Sequence, residues 1–186
     1  MSVLPSTKKG RSFSRQESER DVALAPVTLG EQSLFVLAIV RIFVGLLWFQ
    51  QLFWKLPPSF AGLHVYLTRE VKLTFLPGYA YIIQHVFIPN FILLAALVWL
   101  AELVVSLCLF FGIFSRFGGL LSAILALQLY VGLSNGEWYW TYGTIVLLGA
   151  IFAVVPSGRR LGIDEWLAPH IQRMNSRAGR ILAWLV

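Results

Sequence analysis

The sequence predicts an all-α polytopic membrane protein, an antiparallel four-helix transmembrane bundle, and three observations lead to this fold class. Hydrophobic residues make up 58% of the 186-residue chain, charged residues only 13%, and the mean hydropathy is +0.73, values that soluble domains do not show. Four apolar stretches approach the roughly 20 residues that a helix needs to cross a bilayer core of about 30 Å. The loops between the last three are short, so these helices are expected to be antiparallel neighbours.

The four predicted spans cover residues 34–56, 91–114, 117–134 and 138–156. Each span is flanked by residue types that commonly end helices: Pro57 and Pro58, Pro89 and Asn90, Ser115 and Arg116, Asn135 and Gly136, and Pro156 to Gly158. Proline lacks an N–H group and its ring clashes with the preceding turn, and Gly and Asn favour turns. The boundaries therefore follow from local sequence.

Basic residues predict the orientation, because Lys and Arg near the ends of spans stay on the cytoplasmic side. They are concentrated in both tails and in the short loop at Arg116, whereas the other side has Lys55, Arg69 and Lys72 against Glu70 and Glu137. Both termini are therefore predicted to be cytoplasmic in a multi-pass protein of the plasma (inner) membrane. The net charge of +6 reflects this topology and does not indicate nucleic acid binding.

Two terminal segments flank the predicted membrane domain of residues 31–163. Residues 1–30 are rich in Ser, Arg and Lys and predict a disordered basic cytoplasmic tail, and the first apolar run begins too late for a signal peptide. Residues 164–186 predict an amphipathic helix with Arg173, Arg177 and Arg180 on its polar face. This helix is expected either on the anionic inner leaflet or packed under the bundle.

The outer segment, residues 57–90, contains Leu63, Leu67, Val71 and Phe75 at helical spacing. This spacing predicts an amphipathic helix on the outer surface or over the mouth of the bundle. The apolar piece that follows it is either re-entrant or an outward extension of the second span.

Few residue types suited to cofactors are present. Cys108 is the only cysteine, so the chain alone cannot form a disulfide, a CxxC redox pair, a cysteine-based zinc site or a covalent haem attachment. His64 and His85 fall in the outer segment and His170 in the C-terminal tail, so no pair of histidines is expected on facing spans. The sequence therefore predicts no metal site and no intrinsic cofactor.

Polar side chains within the predicted spans are the main candidates for function, because ionisable groups are costly in a membrane and need a partner or a water cavity. Arg41 in the first span and Glu102 in the second are close enough in depth to predict an ion pair, with Gln128 of the third span at the level of Glu102. The pair could be structural, fixing the helix register. Alternatively, Arg41 and Glu102 are catalytic candidates that line a site for a quinone head group, an oxyanion or a proton.

A second group of candidates lies near the outer end of the spans. Trp and Tyr usually mark the membrane interface, and Lys55 could extend its ammonium outward to water there. The alternative is an aromatic pocket for a flat, partly polar ligand such as a quinone. The candidate ligand-binding residues are Gln51, Trp54, Lys55, Gln128, Trp140 and Tyr142.

Three stretches together resemble the DoxX/DoxD family of small four-helix membrane proteins: RIFVGLLWFQQLFWKL, AELVVSLCLFFGIFSRFGGLLSAILALQL and WYWTYGTIVLLGAIFAVVPSGRRLGIDEWL. The resemblance covers roughly residues 35–168. Its elements here are Arg41, Gly45, Lys55, Glu102, Gly112, Arg116, Gly158, Arg159, Gly162 and Asp164.

The resemblance implies a membrane subunit similar to that of thiosulfate:quinone oxidoreductase, although other members of the family resemble accessory partners of redox enzymes. On this analogy Arg41 and Lys55 attract an anion and Glu102 takes quinol protons. The leading hypothesis is a quinone-linked oxidoreductase subunit that receives electrons from a second subunit or soluble redox enzyme. The alternative is a non-catalytic scaffold or assembly protein that recruits a soluble redox enzyme through its basic tails. A transporter is a weaker alternative, because no inverted repeat is evident.

Overall fold

The computed structural model describes residues 30–174 and 177–186, and this part of the chain is helical without any strand. The predicted all-α class is therefore confirmed, whereas the predicted disordered tail lies outside the described residues except for Gly30. The elements in chain order are α1 (Glu31–Gln51), a 3-10 turn (Phe53–Lys55), α2 (Ala61–Leu73), α3 (Pro77–Ile82), a π-helical turn (Ile83–Phe87), α4 (Phe91–Phe111), α5 (Ser115–Gly132), α6 (Tyr139–Val154), a 3-10 turn (Ser157–Arg159), α7 (Ile163–Gln172) and α8 (Arg177–Leu185).

Three of these segments are long and apolar enough to cross a membrane: Glu31–Lys55, Phe91–Phe111 and Ser115–Gly132. The fourth predicted span corresponds to α6, an apolar helix of 16 residues. At a rise of about 1.5 Å per residue, such a helix is roughly 24 Å long, shorter than a bilayer core. Large apolar side chains on the outer faces, among them Phe43, Leu93 and Leu127, are half or more exposed. Such a surface suits lipid and indicates a membrane protein.

The long helices pack in a chain of neighbours, with α1 along α4, α4 along α5, and α5 along α6. Helices α5 and α6 approach each other closely where Gly119 and Gly149 face the opposite backbone. A Cβ atom on Gly149 would lie 2.7 Å from the Ala123 nitrogen, and one on Gly119 would lie 2.7 Å from the Ala153 nitrogen. Small residues are what allow helix backbones to approach this closely in membranes.

Two hydrogen bonds between helices supplement this packing. Trp48 Nε1 of α1 donates to Ser122 Oγ of α5 over 2.8 Å, and Ser106 Oγ of α4 donates to the Gly45 carbonyl of α1 over 3.1 Å. A polar group in an apolar environment is costly unless it is paired. These bonds therefore fix the register of α1 against α4 and α5.

The outer segment contains a helix, α2, in which Leu63, Leu67 and Glu70 are buried. That α2 is the predicted amphipathic helix at the outer surface stays a prediction. The helix ends at Leu73, so Phe75 lies beyond it and is 54% exposed. The prediction for Phe75 is therefore wrong, because the turn before Pro77 interrupts the helical spacing.

The C-terminal segment is two helices, α7 and α8, where the sequence predicted one. Helix α7 continues through Pro169 and ends at Gln172. Ile171 is buried with Ala168 and Val186, whereas Met174 follows the end of α7 and is exposed. The side chains of Arg177 and Arg180 lie outside the described part.

Candidate functional site

The ammonium of Lys55 and the carboxylate of Glu102 form a buried ion pair at the centre of the candidate site. Lys55 closes the 3-10 turn that follows α1, and Glu102 lies in the middle of α4. Lys55 Nζ donates to Glu102 Oε1, and each side chain is only 4% exposed. Lys55 therefore turns into the protein, and its ammonium does not extend outward to water.

The second oxygen of Glu102 has no partner among the described residues. Oε2 is buried and accepts no hydrogen bond there, although a buried carboxylate ordinarily satisfies both oxygens. On the other side of the pair, Lys55 Nζ lies 4.7 Å from the centre of the Trp54 ring, and Trp54 Nε1 donates to Gln51 Oε1 over 2.7 Å. The pair thus leaves one carboxylate oxygen without a donor among the described residues.

A second carboxylate, Glu70 of α2, is held by a polar cluster beside this pair. Tyr79 Oη of α3 donates to Glu70 Oε2 over 2.9 Å, and Gln128 Nε2 of α5 donates to the same oxygen over 2.8 Å. Glu70 is 1% exposed, and this burial raises the pKa of the carboxyl to about 7, against the opposing effects of Tyr79, Gln128 and the charge of Lys55. Glu70 can therefore hold a proton near neutral pH.

Both carboxylates line one cavity of about 670 Å³ between α1, α2, α4, α5 and α6. Most of its wall is apolar, with polar groups from Lys55, Glu102, Glu70, Gln51 and Gln128. Small-molecule sites in proteins have this character, a mostly apolar concave surface with few polar groups.

The structure brings all the sequence-predicted ligand-binding candidates to this cavity. Its wall includes Gln51, Trp54, Lys55, Gln128, Trp140 and Tyr142, together with the catalytic candidate Glu102. They come from α1, the 3-10 turn, α4, α5 and α6. Whether they bind a ligand stays a prediction, but their convergence defines the candidate site.

Arg41 does not belong to this group, and the predicted Arg41–Glu102 ion pair is wrong. Arg41 is fully buried, and its Nη1 and Nη2 donate to the carbonyls of Ser157 over 3.0 Å and Leu161 over 2.9 Å. A Cβ on Gly112 would collide with the guanidinium, and the φ of Gly112 is +62°. Arg41 therefore joins α1 to the turns after α6, whose carbonyls accept its hydrogen bonds, and its guanidinium packs against Gly112 in the turn after α4.

Sequence reasoning missed Glu70 and Tyr79. Glu70 lies seven residues after Leu63 and three after Leu67, and residues at these spacings share one face of a helix. A carboxylate on the apolar face of α2 was therefore visible in the sequence. Tyr79 gave no such signal, because the turn between α2 and α3 decides where its phenol points.

Neither cysteine nor histidine contributes to the candidate site. Cys108 is buried and free, and His64, His85 and His170 do not line the cavity. Over residues 30–174 and 177–186, no three His, Cys, Asp or Glu side chains cluster in a way that could hold a metal ion.

No protein-family model, curated protein or solved structure matches this chain. The resemblance to the DoxX/DoxD family therefore stays a prediction.

Proposed function

We propose that this chain is the membrane subunit of a quinone-linked oxidoreductase and that the cavity is its quinone site. The observation that carries the proposal is the buried Lys55–Glu102 pair, whose two residues line a largely apolar cavity and whose Oε2 has no hydrogen-bond partner among the described residues. Its volume of about 670 Å³ falls within the range of small-molecule sites, about 300–1,000 Å³.

The lining fits a quinone in both its polar and its apolar parts. A quinone has a flat ring with two carbonyl acceptors and an apolar tail. Lys55 supplies a charged donor and Gln51 an amide, while Leu47, Leu125 and Ile145 supply apolar wall. Trp54 adds an aromatic surface, and its ring also contacts Tyr66 at 4.8 Å between centroids.

A bound quinone would accept two electrons and two protons. In this proposal the chain's own residues manage the protons and the charge. Lys55 stabilises negative charge near its ammonium, and Glu102 offers or takes a proton at Oε2. Glu70, with a pKa of about 7, holds a second proton in the same cavity through its contacts with Tyr79 and Gln128, close to the value that suits proton transfer at neutral pH.

Electrons enter this system from a second subunit or a soluble redox enzyme. The resemblance to the membrane subunit of thiosulfate:quinone oxidoreductase favours a sulfur oxyanion as the electron donor on that partner. We further propose that α6 crosses the bilayer with α1, α4 and α5 as a four-helix bundle in the plasma membrane, with both termini cytoplasmic. The basic residues of the two tails support this orientation.

The test is saturable binding of a short-chain quinone to the purified protein, measured by quenching of tryptophan fluorescence, since Trp48 and Trp54 line the cavity. Glu102→Gln keeps the shape of the side chain but removes its charge, and we expect roughly tenfold weaker binding or more. Glu137→Gln is the matched control, because Glu137 belongs to a partly exposed pair with Arg69 at 3.6 Å.

Absence of saturable binding to the wild type would refute the proposal, as would equal losses in Glu102→Gln and Glu137→Gln. A protein that binds no quinone but keeps a soluble partner in the Glu102→Gln variant would be a scaffold. In that case the buried pair has a structural role only.

A further inference from the structure

Two arginines at the opposite end of α5 from the cavity are joined by the local fold. Arg116 is the second residue of α5, and Arg159 closes the 3-10 turn after α6. The Gly158 nitrogen donates to Ser115 Oγ over 3.1 Å, so the residues just before each arginine are in contact. The start of α5 and this turn therefore form one unit.

The positive charges of Arg116 and Arg159 repel one another. Within residues 30–174 and 177–186, neither guanidinium takes part in an ion pair. The nearby carboxylate of Asp164 is already engaged, because it accepts from the backbone nitrogens of Phe114 over 2.8 Å and Ser115 over 2.9 Å.

Each of these arginines also has an unsatisfied donor. The Nε atoms of Arg116 and Arg159 are buried and donate to no acceptor in the part of the chain that the structure describes. Arg116 donates from Nη1 to the Trp184 carbonyl at the end of α8, over 3.2 Å. Two adjacent cations with buried, unused N–H groups are unfavourable unless an anion neutralises them.

We propose that Arg116 and Arg159 bind the phosphate group of an anionic phospholipid. Phosphate presents several oxygens to the planar guanidinium fork, and arginine binds it more specifically than lysine does. One phosphate between the two side chains would accept hydrogen bonds from N–H groups of both guanidiniums and cancel the repulsion. This site is separate from the cavity and does not depend on a quinone function.

The position of the pair favours a lipid head group over free phosphate. Arg116 lies at the end of a segment that is long and apolar enough to span a membrane, which is where head groups lie. Trp166 and Trp184 of α7 and α8 are 69% and 51% exposed, and exposed tryptophans are typical of the membrane interface.

The experiment measures binding of short-chain phosphatidylglycerol, phosphatidylcholine and inorganic phosphate to the full chain in neutral detergent, by native mass spectrometry and by the shift in unfolding temperature. The Arg116→Gln, Arg159→Gln double variant removes both guanidiniums. Arg173→Gln is the matched control, because Arg173 is an exposed arginine at the end of α7. Arg116→Lys keeps the charge but removes the planar guanidinium.

We expect phosphatidylglycerol to bind and stabilise the wild type and Arg173→Gln, and to bind the double variant at least roughly tenfold more weakly. Arg116→Lys should lose part of this affinity.

Equal binding of inorganic phosphate would support the phosphate site with a soluble source of the anion. Equal binding of phosphatidylcholine, or equal losses in Arg173→Gln and the double variant, would overturn the proposal. If the double variant does not fold, the proposal is still tested by comparing the lipids on the wild type and by the affinity of Arg116→Lys.

Discussion

Lys55 and Glu102 form an ion pair across 47 positions of the chain, with both side chains 4% exposed. The pair joins the turn after α1 to the middle of α4 and forms part of the cavity wall. Its two charges neutralise each other in an environment where either alone would be costly. The same pair therefore holds two parts of the fold together and supplies charged groups to the cavity wall.

A double-mutant cycle should show this coupling. Lys55→Met and Glu102→Leu should each lower the free energy of unfolding by about 3–5 kcal/mol, because each leaves one buried charge uncompensated. The double variant should lose clearly less than the sum of the two. Unfolding in detergent can be followed by the reaction of the buried Cys108 thiol with a fluorescent maleimide. Additive losses would show that the two side chains do not interact.

The pH dependence of stability should report Glu70. Burial raises its pKa from 4.5 to about 7 in the folded protein, so the folded state binds the proton more tightly than the unfolded state. The stabilisation is fully present below about pH 4.5 and is lost as the pH rises through 7, a total of about 3 kcal/mol.

We therefore expect the unfolding temperature to fall between about pH 5 and pH 8, and Glu70→Gln to flatten this change because the amide does not titrate. Glu137→Gln, at a partly exposed carboxylate, should keep the slope of the wild type. An unaltered slope in Glu70→Gln would assign the pH dependence to other groups.

Two glycines of α6 provide a matched test of helix packing. A Cβ on Gly149 would lie 2.7 Å from the Ala123 backbone nitrogen, whereas one on Gly143 would meet only the Tyr130 ring at 3.6 Å. Gly149→Ala should therefore destabilise the protein by about 1–3 kcal/mol through overpacking. Gly143→Ala should be neutral or slightly stabilising, because alanine favours helix. The reverse order of unfolding temperatures would contradict the packing of α5 on α6.

Arg41 should affect stability and leave ligand affinity unchanged. Its two hydrogen bonds to the Ser157 and Leu161 carbonyls cannot be reproduced by lysine in the same geometry. Arg41→Lys should therefore cost about 2 kcal/mol, the size of one buried charged hydrogen bond. Arg160→Lys, at a surface ion pair with Glu31, is the control and should cost little. If Arg41→Lys instead weakened quinone binding without lowering stability, Arg41 would have to be part of the binding site.

Much of the candidate site could be predicted because polar residues in apolar helices stand out locally. Glu102, Gln128 and Lys55 were visible in this way, and the cavity brings them together. Which of them form a pair could not be predicted from their depth in the membrane alone. Arg41 and Glu102 were predicted to lie within reach at similar depth, but the 3-10 turn over Phe53–Lys55 places the Lys55 ammonium against that carboxylate instead.

The sequence by itself determined the helical class, the apolar stretches and the polar residues within them, because hydropathy and helix-ending residues act over a few neighbouring positions. The tertiary structure alone decided that Glu70 enters the cavity wall, that Lys55 pairs with Glu102, and that Arg41 bonds to the turns after α6. These contacts join residues far apart in the chain, and their geometry depends on how the helices pack and where the irregular turns place free carbonyls.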